Sequence, residues 1–174
     1  VGVLLPKRDR INIQINSCNF SKDNAQCSVI KDGGDDPDVT HGAEIFVELS
    51  LTDKIGSIEI DGGKGVGRVT KPGLGLEIGT AAINPTPRKM ILENIQEVGK
   101  KILEENGVKI IVSVPTGEEL AKKTDNPRIG ILNGISILGT SGIVIPYSTA
   151  SFAAAIRQQI DVVSSMNDEE VVLT

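Results

Sequence analysis

The apolar residues of this chain change period part-way along, and the change limits what it can fold into. Arg10-Ile11-Asn12-Ile13-Gln14-Ile15 alternates apolar and polar residues, the mark of a half-buried strand. Strands are also expected over Ala25 to Lys31, Ala43 to Leu51 and Ser57 to Ile60, with a turn at Asp53-Lys54-Ile55-Gly56. This β-rich first third predicts an antiparallel sheet. Further on, Ile91, Ile95, Val98 and Ile102 recur at spacings of four and three, which places them on one helical face. Thr86 is the expected cap, Pro87 suits the first helical position, where its missing N–H is not needed, and Gly107 stands just past the expected end.

A helix followed by a buried strand comes next, for Val108 to Val114 is a continuous apolar run of strand length. Glu118 to Lys123 predicts a short helix, and the Gly-punctuated stretch Arg128 to Val144 predicts strands joined by tight turns. Phe152, Ile156, Ile160 and Val163 then form a second amphipathic pattern, with Ser148 or Ser151 as its cap. Glu169 to Thr174 begins another strand. A lone strand cannot bury its own faces, so the chain is expected to be truncated within a βαβ unit. The predicted division is an α+β domain over 1–147 and the start of a small parallel α/β domain over 148–174.

With 174 residues, 39% hydrophobic and 24% charged, the chain has a globular composition. Three Phe and one Tyr leave Ile, Val and Leu to fill the core. A net charge of -5 argues against a nucleic-acid partner, which needs many Lys and Arg against phosphates. Apolar runs end well short of the roughly 20 residues of a membrane helix. Cys18 and Cys27 are too few for a disulfide framework and no signal-peptide pattern opens the chain, so a cytoplasmic protein is expected.

Four carboxylates crowd into seven residues at Asp32-Gly33-Gly34-Asp35-Asp36-Pro37-Asp38, followed by Thr40 and His41. Carboxylates this close raise one another's pKa, which suits a general base or a cation site. A solvated turn accounts for the same residues, since Asp, Gly and Pro favour turns. His41 is the only histidine. Neither zinc nor calcium spacing is present, so no metal site is assigned.

Asp61-Gly62-Gly63-Lys64-Gly65-Val66-Gly67 follows an apolar strand. Glycines so spaced let a backbone approach a nucleotide-like ligand, yet Pro72 breaks the helix that a dinucleotide fold would place next. A Gly-rich loop that cradles an anion, helped by Arg68 and Lys71, and a plain surface loop both remain open. Asn84, Arg88, Lys122, Asn126 and Arg128 lie at element ends, where loops carry function and where arginines can hold carboxylates. Gly134, Ser136, Gly139 and Thr140 bring small polar groups into an apolar run, which fits either a ligand approach or a pinched strand pair.

KDGGDDPDVTHGAEI, GGKGVGRVTKPGLGL, INPTPRKMI and GEELAKKTDNPRIGILNGISILGTSGIVIP, in this order from about Val29 to Pro146, resemble the CbiD family. The resemblance implies a first domain like a permuted ribosomal-S5 domain 2 and a small α/β second domain. It also implies methyl transfer from S-adenosylmethionine to C-1 of cobalt-precorrin-5B in cobalamin synthesis, with other enzymes of that pathway as possible partners. On that reading Asp36 or Asp38 is the proton acceptor, with His41 beside them. Asp61, Gly63, Gly65 and Gly67 together with Gly134, Ser136, Gly139 and Thr140 hold the donor. Arg68, Lys71, Asn84, Arg88, Lys122, Asn126 and Arg128 hold the macrocycle's carboxylates, and cobalt arrives with the substrate. A corrinoid carrier without chemistry is the alternative, and an ATP-dependent kinase is a lesser one, because the serines of the kinase phosphate loop are missing around Pro72.

Overall fold

The computed structural model describes residues 1–166 and 170. In chain order the elements are β1 (Gly2–Leu4), β2 (Arg10–Asn12), β3 (Ser17–Phe20), β4 (Asn24–Ile30), β5 (Glu44–Thr52), β6 (Ile58–Gly62), β7 (Gly65–Val66), β8 (Arg68–Val69), α1 (Pro85–Val98), α2 (Lys100–Leu103), β9 (Gly107–Ser113), α3 (Gly117–Ala121), β10 (Ile131–Leu132), β11 (Gly134–Ile135) and α4 (Thr149–Ser165). The class is mixed α+β, built on a five-stranded sheet in the order β3-β4-β5-β9-β6.

The sheet is mixed where the sequence predicts an antiparallel one. β3, β4, β5 and β9 pair antiparallel, but β6 lies parallel to β9 at the edge. The reason is α1: the chain leaves β6, crosses through α1 and returns as β9, and a helical crossover delivers a parallel neighbour. The alternating segment from Arg10 to Ile15 also divides. Only Arg10–Asn12 is strand, and it pairs with β1 in a separate hairpin. That hairpin is held to α1 by Asn94, which accepts from Leu4 N at 2.9 Å and donates to Leu4 O at 3.0 Å. One amide side chain thus imitates a neighbouring strand.

Alternation along β9 fixes the core. Val108, Ile110 and Val112 are at most 4% exposed, and with Ile58, Ile60, Leu49 and Leu51 they meet Ile91 and Ile95 of α1. Deleting a side chain such as Ile110 costs roughly 2–5 kcal/mol where the site cannot collapse. A second cluster joins Val69, Leu74, Ala82, Ile129 and Ile131 to Val162 of α4.

Helix ends differ from expectation in instructive ways. The N-cap of α1 is Asn84 and Pro85 opens the helix, because Pro at the first position suits either of the two prolines and the earlier one is used. Gly99 interrupts the helix before α2. Ser148 does cap α4, its Oγ accepting from Ser151 N at 3.2 Å. The apolar stripe of α4 is open, however: Phe152, Ile156 and Ile160 are 66%, 43% and 42% exposed, and Val162 is the buried residue. The strand expected over Glu169 to Thr174 lies, except for Glu170, outside the described residues. Cys18 and Cys27 face each other in the β3–β4 register and form a single disulfide. No helix among the described residues is long and apolar enough to cross a membrane.

Candidate active site

The loop between β4 and β5 carries the acidic cluster, and its side chains are already partly committed. Lys31 pairs with Asp38 and also donates to Thr40 Oγ1. Asp38 Oδ1 accepts from Thr40 N at 2.7 Å. Burial pushes the Asp38 carboxyl up, and the bonds from Lys31 and Thr40 outweigh it, so the group stays below its usual range. His41 Nδ1 accepts from Gly33 N at 2.9 Å, which leaves Nε2 as the ring nitrogen available to donate. Asp36 reaches furthest: its Oδ1 accepts from Tyr147 N at 3.0 Å, tying the loop to the residue before the cap of α4. Among the described residues nothing bonds the other Asp36 oxygen.

The glycine turn is filled by protein. A Cβ on Gly63 would strike Ser113, one on Gly65 the Val114 carbonyl, one on Gly67 the Ile131 side chain, and one on Gly134 the Gly65 carbonyl. The Gly134 contact comes from the parallel β7–β11 pair, in which Gly65 stands opposite Gly134, whereas Ser113 and Val114 lie at the end of β9. Gly63 N and Gly67 N donate to Val112 O and Ile135 O at 2.8 Å each, so those two amides are not free to cradle an anion. Gly139 is different. It is exposed and a Cβ there would meet nothing within 4 Å.

Asp61 is clamped by Arg68, with Nη1 on Oδ1 at 2.7 Å and Nη2 on Oδ2 at 3.2 Å. Burial raises the Asp61 carboxyl, but the Arg68 and Gly62 hydrogen bonds and the charges of Arg68 and Arg88 hold it below the usual range. Arg68 Nη2 also donates to Gly62 O at 2.6 Å, and Arg88 Nη1 to Ile60 O at 2.9 Å. Both carbonyls face the open side of β6. The two arginines therefore cover the free edge of the sheet, where unpaired groups would invite another strand.

An open groove of about 720 Å³ runs beside this edge, between β6 and the Gly75–Thr80 loop, with Arg68, Arg88 and Lys109 among its walls. The remaining predicted residues gather elsewhere. Asn126 is buried, its Nδ2 donating to Gly134 O at 3.3 Å while Ser136 Oγ donates to its Oδ1 at 3.4 Å. Lys71 Nζ donates to Arg128 O at 3.1 Å. Arg128 lies 3.5 Å from Asp125, Lys122 pairs with Glu119 at 2.6 Å, and all of these charges are exposed, where such pairs contribute little. Asn84 makes no side-chain cap bond, and Thr140 is exposed.

The model of one protein family, CbiD, matches residues 1–146. The chain belongs to the CbiD family. Curated CbiD-like relatives named cobalt-precorrin-5B C(1)-methyltransferase include one from Geobacillus kaustophilus, 51% identical over 99% of this chain and 46% of its own length. Another, from Priestia megaterium, is 52% identical over 99% of this chain and 47% of its own length. A crystal structure of cobalamin biosynthesis protein (cbiD) from Archaeoglobus fulgidus superposes with a TM-score of 0.60 at 30% identity, covering 91% of this chain and 49% of that one. The chain thus spans about half the length of the CbiD relatives it matches.

For this CbiD chain, sequence reasoning missed the groove. Glu59 and Lys109 are distant in sequence and adjacent only through the parallel register. The one available signal was the Gly73, Gly75, Gly79 run, whose positive φ angles shape the facing loop. Tyr147 and Lys31 were also missed as partners of Asp36 and Asp38.

Proposed function

We propose that this chain is part of a protein that transfers a methyl group from S-adenosylmethionine to C-1 of cobalt-precorrin-5B in cobalamin synthesis. The carrying observation is an identity of 51% over 99% of the chain to a relative named for that reaction. When bound, the donor supplies a methyl group on a sulfonium, and attack by the ring carbon leaves the bond pair on sulfur. The protein's part is to hold both partners in line and to take up a proton.

Asp36 is the proposed proton acceptor, supported by its unbonded carboxylate oxygen on a loop that Tyr147 N positions. Asp38, held ionised by Lys31, is a weaker base and shapes the loop instead. His41 offers Nε2–H as a donor to substrate. Lys71, Lys122 and Arg128, with Asn84, remain the proposed contacts for the macrocycle, while the buried Asn126 amide is spent on Gly134 and Ser136. Gly139 and Thr140 are the residues of the apolar segment with open space around them, whereas Gly63, Gly65, Gly67 and Gly134 serve packing. We also propose the finer fold description, a permuted ribosomal-S5-like arrangement, supported by the mixed sheet with α1 on one face. The division at residues 147 and 148 is supported by the exposed stretch from Ile143 to Tyr147. A cytoplasmic location and contact with other enzymes of the pathway complete the proposal, on the ground that the relatives carry the name of a biosynthetic enzyme.

A single-turnover reaction tests the reading: a full-length version of the protein, purified alone, is mixed with donor and cobalt-precorrin-5B and the macrocycle is weighed. One added methyl supports the proposal. An unchanged macrocycle that stays bound would point to a carrier.

A further inference from the structure

We propose that the groove beside β6 is the donor's seat, and that it takes an adenosyl amino acid while the macrocycle is held elsewhere; this rests on the methyl-transfer reading above. Its floor is the outer face of the sheet edge. Glu59 and Lys109 stand side by side there in the parallel register, and Asp61 follows two residues on. The Gly75–Thr80 loop forms the far wall. A Cβ on Gly75 or Gly79 would meet nothing within 4 Å, so a ligand can lie close against that backbone. A volume of about 720 Å³ is within the range of roughly 300–1,000 Å³ usual for small-molecule sites.

Charge decides between the two substrates. The lining carboxylates Glu59, Asp61 and Glu77 balance the cations Arg68, Arg88 and Lys109. A macrocycle bearing many acetate and propionate arms needs a net positive surrounding, which this groove lacks. The donor carries an ammonium, a sulfonium and one carboxylate on one small molecule, and so needs both signs close together. Part of the lining is already used, since Asp61 and Arg68 hold each other, Glu59 accepts from Lys54 Nζ at 2.8 Å, and Arg88 gives Nε and Nη1 to backbone carbonyls. Among the described residues Arg88 Nη2, the Lys109 ammonium and the Glu77 carboxylate make no hydrogen bond. Arg88 and Lys109 take the amino acid's carboxylate, and Glu77 takes the cationic end.

The test is calorimetric titration of a full-length version of the protein with S-adenosylhomocysteine, which keeps the zwitterionic end. Glu77→Gln and Lys109→Ala each remove a charge that makes no hydrogen bond in the fold, so their melting curves should match the unchanged protein. Each is expected to weaken binding about tenfold, the loss of one charge-assisted contact. Lys89→Ala, on the exposed side of α1, leaves binding as it was. Binding by both groove variants within about twofold of the unchanged protein, with methyl transfer intact, overturns the groove assignment and spares the reaction. An unchanged protein that neither binds this ligand nor transfers methyl overturns both.

Discussion

Arg88 Nη1 donates to the Ile60 carbonyl oxygen at 2.9 Å, joining the first turn of α1 to the open edge of β6. The same guanidinium donates from Nε to Ile83 O at 3.0 Å. Helix start, sheet edge and the segment between them are thereby locked by one side chain. The planar guanidinium can serve two carbonyls at once, which a lysine ammonium on a flexible stem does less well.

Arg88→Met should therefore lower stability by about 1–3 kcal/mol, since it strands one buried carbonyl and exposes another. Arg88→Lys should recover only part of the loss. Urea midpoints of the three proteins check this, and equal midpoints would show that the edge carbonyls are satisfied without Arg88.

Gly65 and Gly75 make a matched pair, with φ of 72° and 67°. Alanine at either position meets the same left-handed backbone strain, about 1–2 kcal/mol. Only at Gly65 does the new Cβ also collide with the Val114 carbonyl. Gly75→Ala should fold with a small loss, and Gly65→Ala should lose more than about 4 kcal/mol or fail to fold. Similar losses in chemical denaturation would contradict the close approach of β7 to the Val114 carbonyl.

Lys31 sets the acid response of the Asp36 loop. Against the upward push of burial, Lys31 and Thr40 hold the Asp38 carboxyl below the ordinary aspartate range in the folded chain, so its stabilising contribution is complete above the unfolded value and is lost as pH falls through the folded one. Lys31→Met removes the lowering partner and leaves the burial. The variant should be less stable than the unchanged protein at neutral pH, and the gap should close as pH falls below about 4. A gap that stays constant from neutral to acid pH would separate Asp38 from Lys31.

Much of the architecture was legible in residue spacing. Ile91 and Ile95 do face the core, and the alternation of Val108, Ile110 and Val112 sits where a buried strand was expected. What spacing cannot carry is direction and pairing. Nothing local says that β6 lies parallel to β9, because that follows from the crossover, and the groove exists only once Glu59 and Lys109 are in register. The glycines of the Asp61–Gly67 turn were recognisable as a close approach, but whether ligand or protein approaches is a tertiary fact. Here it is Val114 and Gly134. The acidic loop was legible as a cluster, yet which carboxylates bond within the protein was decided by Lys31, which pairs with Asp38, and by Tyr147, which is 111 residues from Asp36. The stripe on α4 is apolar as its spacing says, but Phe152, Ile156 and Ile160 are exposed, and periodicity alone does not say what faces a stripe.

The most direct test of the methyl-transfer account follows the methyl group itself. A full-length version of the protein is given S-adenosylmethionine with an isotopically labelled methyl and one equivalent of cobalt-precorrin-5B, and the product is read by NMR. The account predicts a single labelled methyl on C-1, with turnover reduced by Asp36→Asn. Label at another ring carbon, or label remaining on the donor while the macrocycle is bound, would contradict it.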